Sequence, residues 1–437
     1  MIPPPSGGNT IAFVPPRFGD GVVGGAEAVV SEMARALAAL GLSVEILTTC
    51  ARDHFTWANE FPAGDEQVGD IVVRRFPTVV DTPGVHRRRL GDRILAGDTI
   101  DLASQQLWIN DSLRVPDLWH YVLDHGERYR AIVLAPYLFW TTYAVGQVLP
   151  ARTIVMPCLH DEPMARLDIF KPLMEGARGV WFLTDPEAEL AGELFDVPRR
   201  NAVVGAGIDV VDTHDPDAFR SEYGVEGPFL YYAGRREWGK GWLQLVEAFG
   251  RLLADGVDDL QLVTSGVGDI EAPEEVRRRI VDVGFLSDAM RDNAMAAASA
   301  YVQPSALESF SRTVLEAWAA GTPVIANAGS AVVSWHVERS GAGLLYRGTS
   351  ELTEALRFAA EEPTALAALA GPGRHYVSEH YRWSDVVDRM LDTLDRWLPT
   401  PALATAGAPP MPPPSMAPPS TAPASAPDGG IEWGSDR

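Results

Sequence analysis

Cysteine is nearly absent from the 437-residue chain, which holds only Cys50 and Cys158. With no CxxC pair, neither a zinc site nor a redox dithiol is expected. Each cysteine follows an apolar run, Val44–Leu47 and Thr153–Met156, and both are expected as buried thiols at strand ends. So few thiols fit a reducing compartment. Long apolar runs are missing too: nothing approaches the ~18 consecutive apolar residues of a membrane span. Residues Met1–Ser6 carry neither a basic region nor an apolar core, so no secretory signal is expected and the expected location is cytoplasmic. Positive charge is scarce. Against 59 Asp and Glu stand 36 Lys and Arg, and the net charge of −23 opposes broad nucleic-acid binding, which needs a positive field over the phosphates. Two short basic runs, His86–Arg89 and Arg277–Arg279, read as solvated surface in so acidic a chain. The competing reading is contact with anionic lipid or a phosphorylated acceptor, and the net charge gives membrane association no support.

What is present is an ordinary globular composition, 46% hydrophobic and 22% charged, in a length that suggests two domains. Apolar runs alternate with helical patterns. In the first half the runs are Thr10–Val14, Ser43–Thr49, Ile71–Phe76, Ala131–Ala135, Thr153–Cys158, Gly179–Thr184 and Ala202–Ile208. In the second they are Phe229–Ala233, Leu260–Thr264, Val281–Phe285, Ala300–Gln303, Pro323–Asn327 and Gly343–Tyr346. Most are continuous rather than alternating, the mark of strands buried on both faces of a parallel sheet. The clearest helix is Ala26–Leu40, where Ala26, Val29, Val30, Met33, Leu37 and Leu40 recur every three or four residues before Gly41 ends it. The alternation predicts an α/β fold of two doubly wound, Rossmann-like units. The expected domains are 1–208 and 209–379, with Asp209–Pro228 as the joint. Trp383–Leu398 predicts an amphipathic helix, with Val386, Val387, Met390, Leu391, Leu394 and Leu398 on one side. From Pro399 the Pro/Ala-rich composition cannot offset ordering entropy, so 399–437 is expected to be a disordered tail.

Three segments carry candidate chemistry. Gly24-Gly25-Ala26-Glu27 follows the first strand through the glycine-bearing loop Pro15–Val23. Its glycines let backbone approach a ligand, and the next helix offers free N–H groups to an anion. An ordinary strand–helix turn is an equal reading, and the segment is not the GxGxxG of a dinucleotide oxidoreductase. The second segment, Gly234–Gly241, follows the first strand of the second half. Arg235 at the strand end and Lys240 at the start of the helix Trp242–Leu252 could clamp a diphosphate and stabilise a leaving group. The competing reading is a solvated pair beside a turn. In the third, Pro304–Ile325, a loop carries Glu308, a helix begins near Ser309–Ser311, and Glu316 lies about two turns on at ~3.6 residues per turn. Glu308 can face a ligand at the helix mouth, where the N–H groups of Ser309–Arg312 favour phosphate. Taken alone, two such glutamates are a solvated helix face.

Together these segments carry a resemblance. Glu308–Glu316 resembles the E-x7-E motif of retaining glycosyltransferases of the GT-B fold, most closely the GT4 family. Gly24–Glu27 resembles the family's N-terminal donor-side loop, and Gly234–Gly241 its G-R-x4-K-G element. Leu262–Asp269 and Val283–Ser287 stand where the family has its glycine turn and nucleotide-base loop, and Ala320–Ile325 is also typical.

The resemblance implies a first, acceptor domain facing a second, donor domain across a cleft, with the helix at 380–398 crossing back to the first. It implies transfer of a hexose from a UDP- or GDP-sugar, as substrate, to an acceptor hydroxyl on an unidentified glycan, lipid or small molecule. The anomeric configuration would be retained, with no metal and no cofactor; no Asp-x-Asp is placed for a divalent ion. Arg235 and Lys240 would bind the diphosphate, Glu316 the ribose, and Glu308 the sugar hydroxyls near the reacting face. Backbone N–H groups of Ser309, Phe310 and Ser311 would hold sugar and phosphates, and the backbone of Phe285 and Leu286 would read the base. Gly24 and Gly25 would line the donor from the first domain. His160 would stand near the anomeric carbon, its competing reading being a strand-end histidine bonded to backbone. Closure about the joint would exclude water.

The chain departs from the family's commoner pattern. Ser309 and Ser311 stand where glycines are frequent, and Arg312-Thr313 where an apolar–Pro pair is usual, which leaves sugar preference open. Two alternatives remain at this point. A nucleotide-sugar epimerase of similar fold would need a base for a ring proton, which no second carboxylate or histidine cluster clearly supplies. A nucleotide-binding scaffold without catalysis is opposed by Arg235, Lys240, Glu308 and Glu316 occurring together.

Overall fold

The computed structural model of the chain describes residues 9–79, 84–111 and 113–399. Two sheets organise them. The first contains β1 (Thr10–Val14), β2 (Val44–Thr49), β3 (Gly64–Val68), β4 (Ile71–Phe76), β5 (Tyr129–Leu134), β6 (Thr153–Val155), β7 (Gly179–Phe182) and β8 (Asn201–Val203), in the order β3-β4-β2-β1-β5-β6-β7-β8. The second contains β9 (Phe229–Ala233), β10 (Gln261–Ser265), β11 (Ile280–Asp282), β12 (Ala300–Gln303), β13 (Val324–Asn327) and β14 (Leu344–Tyr346), in the order β11-β10-β9-β12-β13-β14. Every pairing is parallel except β3 with β4. In each sheet the chain starts in the middle, runs to one edge and returns to the other side. Switch points therefore lie between β1 and β5 and between β9 and β12, and ligands bind beyond the carboxyl ends of strands at such points.

The continuous apolar runs become strands buried on both faces; every residue of β1, β2, β5 and β7 is buried. The sequence pattern missed β3, a polar edge strand of sequence Gly-Asp-Glu-Gln-Val. Its carboxylates instead pair with neighbouring strand β4: Asp65 with Arg74 at 2.7 Å and Glu66 with Arg75 at 3.2 Å. Several runs outlast their strands. The run from Thr153 leaves the ladder after Val155, ahead of Pro157, which has no N–H to give. The run from Ala202 leaves before Gly205, at φ +72°, and the run from Val281 before Gly284, at φ +69°. Buried loops carry the rest of the runs from Thr153 and Ala202, including the one before His160, whereas the run from Val281 ends on exposed Phe285.

The Gly25–Ala39 helix buries Val29, Val30, Met33 and Leu37 as its spacing predicts, but Leu40, expected on the same stripe, lies past the helix end and is exposed. The expected joint, Asp209–Pro228, holds a helix, Pro216–Tyr223. Asp215 caps this helix, Gly224 ends it at φ +64°, and buried Phe219 anchors it. Trp383–Trp397 packs against the first sheet. Trp181 Nε1 donates to Thr393 Oγ1 at 2.8 Å, Arg130 pairs with Asp395 at 2.6 Å, and Arg178 Nε donates to the Trp397 carbonyl at 2.7 Å. Gly179 is required there, because a Cβ would collide with the Trp397 ring. Cys50 and Cys158 are buried free thiols. The predicted tail beyond Pro399 lies outside the described residues.

Candidate active site

The loops after β9 and β12 meet. Gly241 sits at φ +73° against Pro304, and a Cβ there would collide with the Pro304 carbonyl. This close approach brings Lys240 Nζ to 2.9 Å from Glu308 Oε1. Burial alone would raise the pKa of Glu308, but Lys240, the Ser305 hydroxyl and the field of His160 outweigh it and hold the carboxyl below its ordinary value. Glu308 is therefore ionised at neutral pH.

Arg235 stands on the same loop as Lys240, two residues past the end of β9. It pairs with Glu237 at 3.1 Å and approaches His54 Nε2 of the first domain at 3.1 Å. Burial, Arg17 and Arg235 together lower the pKa of His54, so its ring is neutral and can accept from Arg235. The adjacent Arg236 is tied into the domain's own framework, its guanidinium bonding Asp282 at 3.1 and 3.2 Å and the Gly268 carbonyl at 2.7 Å. Their partners thus separate the two arginines.

Ser309, Phe310 and Ser311 form the mouth of the Arg312–Ala319 helix. Among the described residues, none of their N–H groups is taken by a protein acceptor. Their carbonyls and side chains are held instead. Thr184 Oγ1 of the first domain donates to the Ser309 carbonyl at 3.0 Å. The Phe310 carbonyl accepts from His336 Nε2 at 3.0 Å, whose Nδ1 meets Tyr376 Oη at 3.1 Å. A carbonyl can only accept, so Nε2 carries the proton. Burial pushes the pKa of His336 down to about 3, consistent with a neutral ring. Ser311 adopts φ +56°, the conformation that favours glycine, and Gln303 Nε2 donates to its hydroxyl at 3.0 Å.

The first domain contributes His160. Its Nδ1 lies 3.7 Å from Glu162 Oε1, which also accepts from Tyr137 Oη at 2.7 Å. Burial would raise the Glu162 pKa; His160, Tyr137 and Lys240 lower it below its ordinary value. Lys240 of one domain and Glu162 of the other therefore feel each other, as do His160 and Glu308. Beneath this loop lies buried Glu187, whose two oxygens accept from the N–H groups of Leu159 at 2.7 Å and Leu183 at 2.6 Å.

Other predicted residues fall as follows. Gly24 packs on the Arg17–Glu27 ion pair, where a Cβ would strike the Glu27 carboxylate; Gly25 has open space at its Cβ position. Phe285 is exposed and Leu286 buried, in the loop after β11. Glu316 is buried, with Oε1 2.5 Å from Arg312 Nε and 3.1 Å from Arg291 Nη2, while Oε2 has no partner. Glu162, Tyr137, Thr184 and Glu187 were missed. Thr184-Asp185-Pro186-Glu187 does carry a helix-start signature, and Glu162 follows His160 by two residues. Tyr137 had no local signal. Among the described residues no helix is long and apolar enough to cross a membrane.

The chain is similar to several known proteins. Residues 227–362 match the family described as glycosyl transferases group 1. The D-inositol 3-phosphate glycosyltransferase of Jonesia denitrificans is 27% identical over 425 residues, covering 86% of this chain and 92% of that protein. D-inositol 3-phosphate glycosyltransferase 1 of Catenulispora acidiphila is 28% identical, covering 85% and 91%. Among solved structures, sucrose-phosphate synthase from Thermosynechococcus elongatus superposes with a TM-score of 0.67 at 20% identity, over 89% of this chain and 98% of that one. Anabaena HepE in complex with UDP and glucose gives 0.63 at 17% identity, over 89% and 99%. The structural likenesses establish the fold; the matched domain and the named relatives establish the reaction class. The chain is a glycosyltransferase of the GT-B fold that carries a glycosyl transferases group 1 domain.

Proposed function

We propose that the chain is a retaining, metal-independent hexosyltransferase using a UDP- or GDP-sugar. The observation that carries this reading is the Lys240–Glu308 pair, set beside Arg235 and the unbonded N–H groups of Ser309–Ser311 and opposite His160. Lys240 and Arg235 offset charge on the departing diphosphate, so electrostatic preorganisation supplies the main effect. Glu308 fixes sugar hydroxyls, and His160, oriented by Glu162, stands at the reacting face. The bond from C1 to the phosphate oxygen breaks, the acceptor oxygen bonds to C1 from the same side, and the acceptor proton passes to the departing phosphate oxygen. Glu316 binds the ribose, and the loop of Phe285 and Leu286 takes the base.

A solved neighbour named with bound UDP-glucose supports a nucleotide-sugar donor. The names of the relatives support a phosphorylated polyol as acceptor, with D-inositol 3-phosphate the instance to try first. Unpaired Cys50 and Cys158 support action in a reducing cytoplasm. The test is transfer from UDP- and GDP-hexoses to D-inositol 3-phosphate in EDTA, with the new linkage read by NMR. An α-linked donor giving an α-linked product supports the reading. A β-linked product, or a donor converted without acceptor, overturns it.

A further inference from the structure

Arg312 replaces an apolar residue of the family pattern, and the donor reading gives it no role. Its guanidinium is four-fifths buried. Nε bonds Glu316 Oε1 at 2.5 Å and Nη1 bonds Glu32 Oε1 at 2.6 Å. Glu316 lies one turn further along the same second-domain helix, whereas Glu32 belongs to the Gly25–Ala39 helix of the first domain. One side chain thus spans the two domains and ends on the carboxylate assigned to the ribose.

Glu316 is 7% exposed. Arg291 saturates the same oxygen, Oε1, at 3.1 Å, with Asp288 and Asp292 sharing the Arg291 charge. Oε2 is buried and unpartnered, and Glu316 lines a cavity of about 70 Å³. Glu32 and Arg312 face this cavity, as do Asp209 and His214 of the connecting segment, and His214 Nε2 is also buried without a partner. A buried acceptor left unmet is unfavourable, so Oε2 is poised for hydroxyl donors. The two arginines fix the carboxylate by one oxygen and leave the other, so a ligand hydroxyl completes the ion pair and does not displace it. Burial works against the Arg312 charge, but Glu316 and Glu32 outweigh it and hold the proton more firmly than usual.

The geometry points to Arg312 as a positioning residue: it aligns Glu316 for the donor ribose only while Glu32 of the facing domain is within its reach. Donor affinity and closure of the two domains are then one equilibrium, and Glu32 tunes donor binding without touching the donor. This rests on the proposed role of Glu316.

The test uses the full-length protein. Calorimetric titration with UDP and GDP compares the wild type with Glu32→Gln, Arg312→Leu, the double variant and Lys240→Met. Each of the first two is expected to weaken nucleotide binding about tenfold, the usual range of coupling between sites. The double variant should lose no more than the worse single one. Glu32→Gln should raise the donor KM with kcat retained, and in small-angle scattering without ligand it should show a larger radius of gyration than the wild type. An unchanged affinity and radius of gyration in Glu32→Gln overturn the coupling while the donor site stands, provided Lys240→Met still loses binding. A wild type that binds neither nucleotide, or a Lys240→Met variant that binds as tightly, overturns the donor reading and this proposal with it.

Discussion

Lys240 Nζ and Glu308 Oε1 stand 2.9 Å apart although 68 residues separate them in sequence. The contact joins the loops after β9 and β12, the two strands that flank the switch point of the second sheet. Lys240→Met and Glu308→Gln should each lower kcat by about 10²–10³, the range for losing one preorganised electrostatic group. Circular dichroism and urea unfolding check that both variants fold. A variant within a few-fold of wild type would remove that residue from the reaction.

Gly241→Ala should disturb the same contact from behind. Its backbone is left-handed, and a methyl group there meets the Pro304 carbonyl. The combined strain and overpacking should cost about 2–4 kcal/mol in urea unfolding. The donor KM should rise with it, because Lys240 cannot keep its place. Ser311→Gly is the reverse case. It relieves a left-handed serine but loses the hydrogen bond from Gln303, so stability should stay within about 1 kcal/mol of wild type.

Glu187→Ala should act on His160 at a distance. It would leave the N–H groups of Leu159 and Leu183 buried without acceptors, at about 1–3 kcal/mol each. The expected result is a lower unfolding midpoint and a loss of kcat in the folded fraction, as the His160 loop loosens. Unchanged stability would contradict the assigned bonding.

Acid should weaken the protein through His336. Burial lowers its pKa from an ordinary 6.5 to about 3, so between those values the unfolded chain binds a proton that the folded chain refuses. Stability therefore falls as pH is lowered through that window, by up to about 1.4 kcal/mol per pH unit for one proton. His336→Gln can still donate to the Phe310 carbonyl and accept from Tyr376. Its urea-unfolding midpoints should show a pH slope shallower by up to one proton, and an identical slope would show that His336 takes up its proton in the folded state.

Much of this was legible beforehand because the parallel strands are buried on both faces and announce themselves as continuous apolar runs. The edge strand β3 was not, since a solvated strand of Asp, Glu and Gln has no such run. Strand ends were misjudged where apolar loops continue inward, as after Val155 and Val203. Arg235, Lys240 and Glu308 could be picked out from residue type and spacing. Their separation into Lys240 on Glu308 and Arg235 beside His54 could not, because it depends on which loops cross. Arg312 was visible only as a departure from pattern, and its meaning lies in Glu32, 280 residues away.

The most direct test of the donor site is the thermal unfolding of the purified protein in EDTA against UDP-, GDP-, ADP- and dTDP-sugars, beside Arg235→Ala. A ligand at a hundred times its dissociation constant adds about 2.7 kcal/mol to the folded state, enough to raise the melting temperature visibly. The account predicts a shift with a UDP- or GDP-sugar that Arg235→Ala abolishes. No shift with either at millimolar concentration, or a shift that survives Arg235→Ala undiminished, would contradict it.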